Sequence, residues 1–129
     1  MFKDPSAGGD RLVYVELEGA LLLVTVKAQE HGIETSYGTA DPVRADVVVL
    51  DGPRKGDEYH DTLIFPKLLI SQLRPNEGEM VLGRLGRGTA KPGQSAPWTL
   101  APATEADRAV GERYLAYAAA RAVEEEAPF

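Results

Sequence analysis

The sequence contains no cysteine, so neither a disulfide framework nor a thiolate metal site is open to it. No apolar run approaches the roughly 20 residues that cross a bilayer. The polar opening Met1-Phe2-Lys3-Asp4-Pro5-Ser6 lacks the apolar centre of a secretory signal. A soluble, cytoplasmic protein with no membrane partner is the expectation. Histidine is scarce: His31 and His60 are far apart, and no Ser-His-Asp, HExxH or phosphate-cradling motif accompanies them. Asp57, Glu58, His60 and Asp61 crowd together, yet strand alternation puts Glu58 and His60 on one face and Asp57 and Asp61 on the other. A polar strand edge is therefore expected there in place of a metal site. Neither catalysis nor a cofactor is expected.

What is present suits one domain: 129 residues with 43% apolar content can bury a single core of ordinary size. The net charge of −6 argues against a polyanionic partner until its distribution is considered. Residues 62–103 hold Lys67, Arg74, Arg84, Arg87 and Lys91 against only Glu77 and Glu79. The acids lie mostly before and after this stretch.

Residues 1–10 have turn and linker composition and read as a flexible N-terminal segment. Residues 12–17 are rich in β-formers, Gly19 interrupts, and residues 20–27 resume as an apolar run. One long strand bent at a glycine, or two shorter strands, would explain this. Residues 28–42 read as a long loop or open hairpin end carrying Tyr37. A second strand follows at 43–50, and a third at 58–65 sets Tyr59, Asp61, Leu63 and Phe65 on alternate positions. Pro66 opens a short helix through Leu73. A fourth strand, residues 79–85, alternates Met80, Leu82 and Arg84 with Val81, Gly83 and Leu85. A loop rich in glycine and proline leads to a fifth strand near residues 97–101. Thr104 looks like the N-cap of an alanine-rich helix running to about residue 123. Along that helix Val110, Tyr114, Tyr117 and Ala118 form an apolar stripe for the chain's own sheet or for another subunit.

Three strands, a helix, two strands and a final helix make up the order of a mainly β fold: a five-stranded Greek-key barrel of the OB type with a C-terminal helix. Such barrels bind ligands on strands two and three and on the loops between strands one and two and between four and five. Residues 11–103 would form this barrel, 104–123 the helix and 124–129 an acidic tip.

Binders of single-stranded nucleic acid join a basic groove to aromatic platforms for the bases. Arg84, Arg87 and Lys91 have no acid between them, and the sole tryptophan, Trp98, follows closely. Trp98 serves either as a platform or as barrel filling. Tyr37, Tyr59 and Phe65 are further stacking candidates, although Tyr59 and Phe65 share a face with Leu63 and suit a core equally well. Lys27, Arg44 and Lys67 would extend the positive track.

The last six residues, Glu124, Glu125, Glu126, Ala127, Pro128 and Phe129, join an acidic run to a terminal aromatic ring and its carboxylate. A partner with an apolar pocket and a basic rim could read all three features together. On these residues the sequence resembles the single-stranded-DNA-binding proteins of bacteria and their viruses, whose OB-fold cores end in an acidic tip closing on proline and phenylalanine. Residues 20–115 look like the short barrel-and-helix versions encoded by bacterial viruses. Glutamates stand here in place of the family's aspartates, Ala127 replaces a larger aliphatic, and the usual Gly-, Pro- and Gln-rich linker is missing. The resemblance implies a homo-oligomer that coats single-stranded DNA and recruits replication, recombination or repair proteins through Glu124–Glu126, Pro128 and Phe129. The competing expectation is a barrel that serves as a protein-interaction or structural module without DNA binding.

Overall fold

A computed structural model gives the backbone of residues 10–36 and 38–126, and side chains through residue 121. The main sheet comprises β1 (Leu21–Gln29), β4 (Val43–Val49), β5 (Glu58–Ile64), β6 (Met80–Arg87) and β7 (Trp98–Pro102). Two short strands, β2 (Ile33–Thr35) and β3 (Gly38–Ala40), form a separate hairpin in the connection from β1 to β4. Among the described residues three α-helices accompany the strands, α1 (Tyr14–Leu17), α2 (Lys67–Leu73) and α3 (Glu105–Glu126), with a 3-10 turn, Arg74–Asn76, after α2. The mainly β reading holds, with five long strands, a helix between the third and fourth, and a C-terminal helix. α3 continues through Glu126, so the acidic run belongs to the helix backbone.

All pairs in the main sheet are antiparallel, in the spatial order β5-β4-β1-β6-β7. Three successive long strands lie side by side, and β6 returns to the free side of β1, which is Greek-key order. Alternation sorts the side chains. Val43, Ala45, Val47 and Val49 of β4 are buried on the inner face with Leu22, Val24 and Val26 of β1, and Leu69 and Leu73 of α2 join them. On the outer face Leu21, Leu23 and Leu50 form a second cluster under Val110 and Tyr114 of α3. Each such fully buried side chain contributes about 1.5–3 kcal/mol through removal from water. Gly111 lets α3 lie close, because a Cβ there would come within 3.0 Å of Leu82 Cδ2.

Residues 12–17 depart from the strand expectation. Tyr14 and Leu17, three apart, turn inward on one helical turn, while Val13 and Val15 are 45% and 63% exposed. Packing of Leu12, Tyr14 and Leu17 against the inner face overrides their local β preference. β1 is accordingly one strand beginning after Gly19.

The shared face proposed for Tyr59, Asp61, Leu63 and Phe65 also needs correction. Ala45 pairs with Thr62 and Val47 with Tyr59, so His60 and Asp61 together face Asp46 in a β-bulge. Asp61 takes φ 53° and donates its N–H to Asp46 Oδ1 at 2.9 Å. The extra residue resets the alternation. Tyr59 now packs on the inner core with Ile64, and Thr62 is buried beside them, while Leu63 is only half-buried.

No ladder joins β5 to β7 among the described residues, so the sheet keeps two edges. A side chain of α2 caps the β7 edge instead. Gln72 of α2 donates from Nε2 to the Leu100 carbonyl at 3.0 Å, and its Oε1 accepts from the Leu100 N–H at 2.9 Å. Its amide thus meets both backbone groups that a neighbouring strand would have met. Gln72 Oε1 also accepts from the Thr99 hydroxyl at 3.2 Å. The segment before β1 is fixed at several points. Asp10 exchanges hydrogen bonds with the His60 backbone at 2.9 and 2.7 Å, Glu16 pairs with Arg54, and the Gly19 N–H donates to the Leu85 carbonyl.

Replacing Gln72 by Leu leaves the Leu100 N–H and carbonyl without partners. We expect a loss of about 2–4 kcal/mol in urea unfolding, since each orphaned buried group costs about 1–3 kcal/mol. Gln72→Glu, which can still accept but no longer donate, should fall between.

Candidate nucleic-acid interface

Two aromatic rings meet beside the β7 edge. Tyr14 stacks on Trp98 with ring centroids 5.8 Å apart and planes inclined at 29°. The hydroxyl end of Tyr14 reaches the Phe65 backbone, just beyond β5. Burial pushes the Tyr14 phenol up to about 12, with the hydrogen bond to the Phe65 backbone pulling in the opposite direction. Tyr14 therefore remains neutral and bridges the two edge strands. The Arg87 guanidinium carbon lies 4.4 Å from the Trp98 ring centroid, within cation–π range. Arg87 Nε is also 3.7 Å from Glu18 Oε1, at a solvent-exposed site where such a pair is worth little.

Of the residues singled out in the sequence, Trp98 stacks on Tyr14, Arg87 lies over Trp98, and the Phe65 backbone meets the Tyr14 hydroxyl. Trp98 is only half-buried, and Phe65 is 39% exposed beside the exposed Lys67. Lys91 stands exposed in the loop that leaves β6 at Arg87 and returns at Trp98. Met80 through Thr104 contains no acid. The row can accordingly offer ring surface and positive charge together.

Other candidates lie apart from this row. Alternation places Arg84 on the opposite face of β6 from Arg87, toward α3. There it contacts Asp51 Oδ2 at 3.0 Å, Asp107 Oδ1 at 2.7 Å and the Gly19 carbonyl at 2.7 Å. Asp51 Oδ1 accepts in turn from the Leu21 N–H at 2.7 Å. The Asp107 carboxylate, first of all, holds Arg84 above its ordinary range. Asp107 also completes a reciprocal cap at the start of α3: its Oδ2 accepts from the Thr104 N–H at 3.0 Å, and its own N–H donates to the Thr104 hydroxyl at 3.1 Å. Arg84 is a structural tie between four segments.

Lys27 and Arg44 lie on the outer face, away from Trp98. Lys27 contacts Asp61 at 2.5 Å and Asp46 at 3.1 Å, and Arg44 contacts Glu30 at 2.7 Å. Both cations are balanced by carboxylates. His60 adds itself to this group, 3.9 Å from Asp46 and 3.6 Å from Glu58. Among the described residues, no group of three or more His, Asp or Glu is arranged to hold a metal. Tyr59 packs on the core with its hydroxyl 3.4 Å from Asp57, and burial first and that carboxylate second raise its pKa. Tyr37, Pro128, Phe129 and the side chains of Glu124, Glu125 and Glu126 lie outside the described residues.

Tyr14 is the member of the row that sequence reading missed. Its signal was the three-residue spacing to Leu17 just before Gly19, which marks a single helical turn. No helix among the described residues is long and apolar enough to cross a membrane. No family model, curated protein or solved structure matches the chain.

The Asp107 network carries a pH signature. Hydrogen bonding from the Thr104 backbone, then from Arg84, holds the Asp107 carboxyl below its ordinary value, and Lys27 does the same for Asp61. A lowered folded pKa gives stability that is present above the unfolded value, near about 4, and lost as pH falls through the folded value. Thermal stability should hold down to about pH 5 and decline below about 4. Asp107→Asn should lower the plateau and flatten that acid limb, as read by melting across a pH series.

Proposed function

We propose that the chain is a non-catalytic, OB-type barrel that binds single-stranded nucleic acid, with DNA its intended ligand, across the seam between β5 and β7. The single observation that carries this reading is the Tyr14–Trp98 stack with Arg87 over the indole. A half-buried indole beside a guanidinium at the root of an acid-free loop suits base stacking and phosphate contact. Greek-key order, a helix between the third and fourth long strands, and side-chain bridging of the open seam support the barrel reading. The binding set is Trp98, Arg87, Lys91, Phe65 and Lys67, with Tyr14 as support. In this reading Glu124–Phe129 recruits replication, recombination or repair proteins, as the resemblance implies.

A second reading, a protein-interaction or structural module, draws on the pairing of Lys27, Arg44 and Arg84 with carboxylates. Those three cations are not offered to a phosphate backbone. The interface is correspondingly smaller than the sequence alone suggests.

Titrating poly-dT while following Trp98 emission should quench it. Engagement of about three phosphates predicts a salt slope of roughly −2 for single strands. Arg87→Ala should weaken binding by about threefold to tenfold, in line with the loss of one charge contact and one cation–π pair. Glu18→Gln should leave affinity unchanged or strengthen it. Equal affinity for duplex, or no quenching with wild-type protein, would favour the module.

A further inference from the structure

A cleft lies on the outer face, away from the aromatic seam. It is a groove of about 880 Å³ between α3 and the β4 side of the sheet, within the size range of ligand clefts. Val48, Leu50, Val110 and Tyr114 give it an apolar floor. Among the described residues, Lys55, Arg113 and Arg121 line it with a single acid, Glu58. In a chain of net charge −6, three cations to one acid run against the overall sign. Tyr117 is 57% exposed at the groove, with the Arg121 guanidinium 5.6 Å from its ring. Such a lining fits a peptide that presents carboxylates beside an aromatic ring.

The chain itself contains that peptide, the segment Glu124–Phe129. Its own copy cannot deliver it to the floor of the groove. α3 is helical through Glu126, and Tyr114 lies about 18 Å back along the helix at 1.5 Å per residue. Phe129 follows Glu126 by three residues, which span at most about 10 Å even when extended. A second copy has no such limit.

We propose that the groove between α3 and β4 is a self-association site that receives the acidic, aromatic segment Glu124–Phe129 of a second copy. Phe129 enters between Tyr114 and Val48, and the glutamates meet Lys55 and Arg113. Reciprocal exchange places one segment in each groove, giving a closed two-fold pair. The groove lies on the opposite face of the sheet from the nucleic-acid surface, and a segment docked there is withheld from the partner proteins that the proposed function assigns to it.

The test uses the full chain and a labelled peptide of residues 119–129. Light scattering should show a dimer that forms with rising concentration and weakens between about 50 and 500 mM salt, as charge screening requires. The peptide should bind the wild-type chain and compete with the dimer. Arg113→Glu and Tyr117→Ala, both at exposed positions, should each weaken peptide binding by about tenfold or more. A peptide with three lysines at the glutamate positions should regain affinity for the Arg113→Glu chain, which a misfolded variant could not provide. Phe129→Ala should return the full chain to monomer. The proposal is overturned if dimerisation survives Phe129→Ala, if the peptide binds wild type and Arg113→Glu equally, or if the chain stays monomeric while its groove binds the peptide.

Discussion

Two sheet edges, β5 and β7, that no strand among the described residues pairs set the terms for the rest of this molecule. A free edge leaves backbone groups without partners, and water or side chains must supply them. Here the second course is taken. Gln72 offers an amide to both backbone groups of Leu100, and Tyr14 spans from Trp98 to the Phe65 backbone. Next to the β7 edge these side-chain contacts set the Tyr14–Trp98 ring stack. The aromatic row is thus a result of how the sheet is finished.

Electrostatics divides the surface along the same lines. On the outer face Arg84 gathers the turn before β1, the turn after β4 and the cap of α3 around one guanidinium. The polar end of that face neutralises Lys27 and Arg44 locally. Beside Trp98, Arg87 and Lys91 stand in a stretch without acids. A chain that is acidic as a whole thus gathers cations in the loop between β6 and β7 and along the groove beside α3.

Much of the fold was legible because it rests on local rules. The alternation of β4, the proline before α2 and the cap at Thr104 each act within a few residues. The misses share one physical cause, a partner distant in the chain. The bulge at Asp61 depends on Asp46, and without it the parity of Tyr59 is assigned to the wrong face. The turn of α1 depends on a core built by strands that come later. Arg84 and Arg87 look alike in sequence, yet their odd spacing sends them to opposite faces, where one meets two carboxylates and the other an indole. Alternation could have separated them, whereas nothing local identified Asp51 or Asp107 as partners. Gln72 gave no signal at all, since a glutamine on a short helix is ordinary until the strand beside it lacks a neighbour.

The substitution of one side-chain amide for a strand bears on solubility as well as folding. β7 is a five-residue edge whose Leu100 hydrogen bonds are occupied by Gln72. Thermal motion that swings α2 aside would bare those groups to any extended peptide nearby, including the matching strand of a neighbour. The helix that packs the core thereby also acts as a guard against strand-by-strand polymerisation.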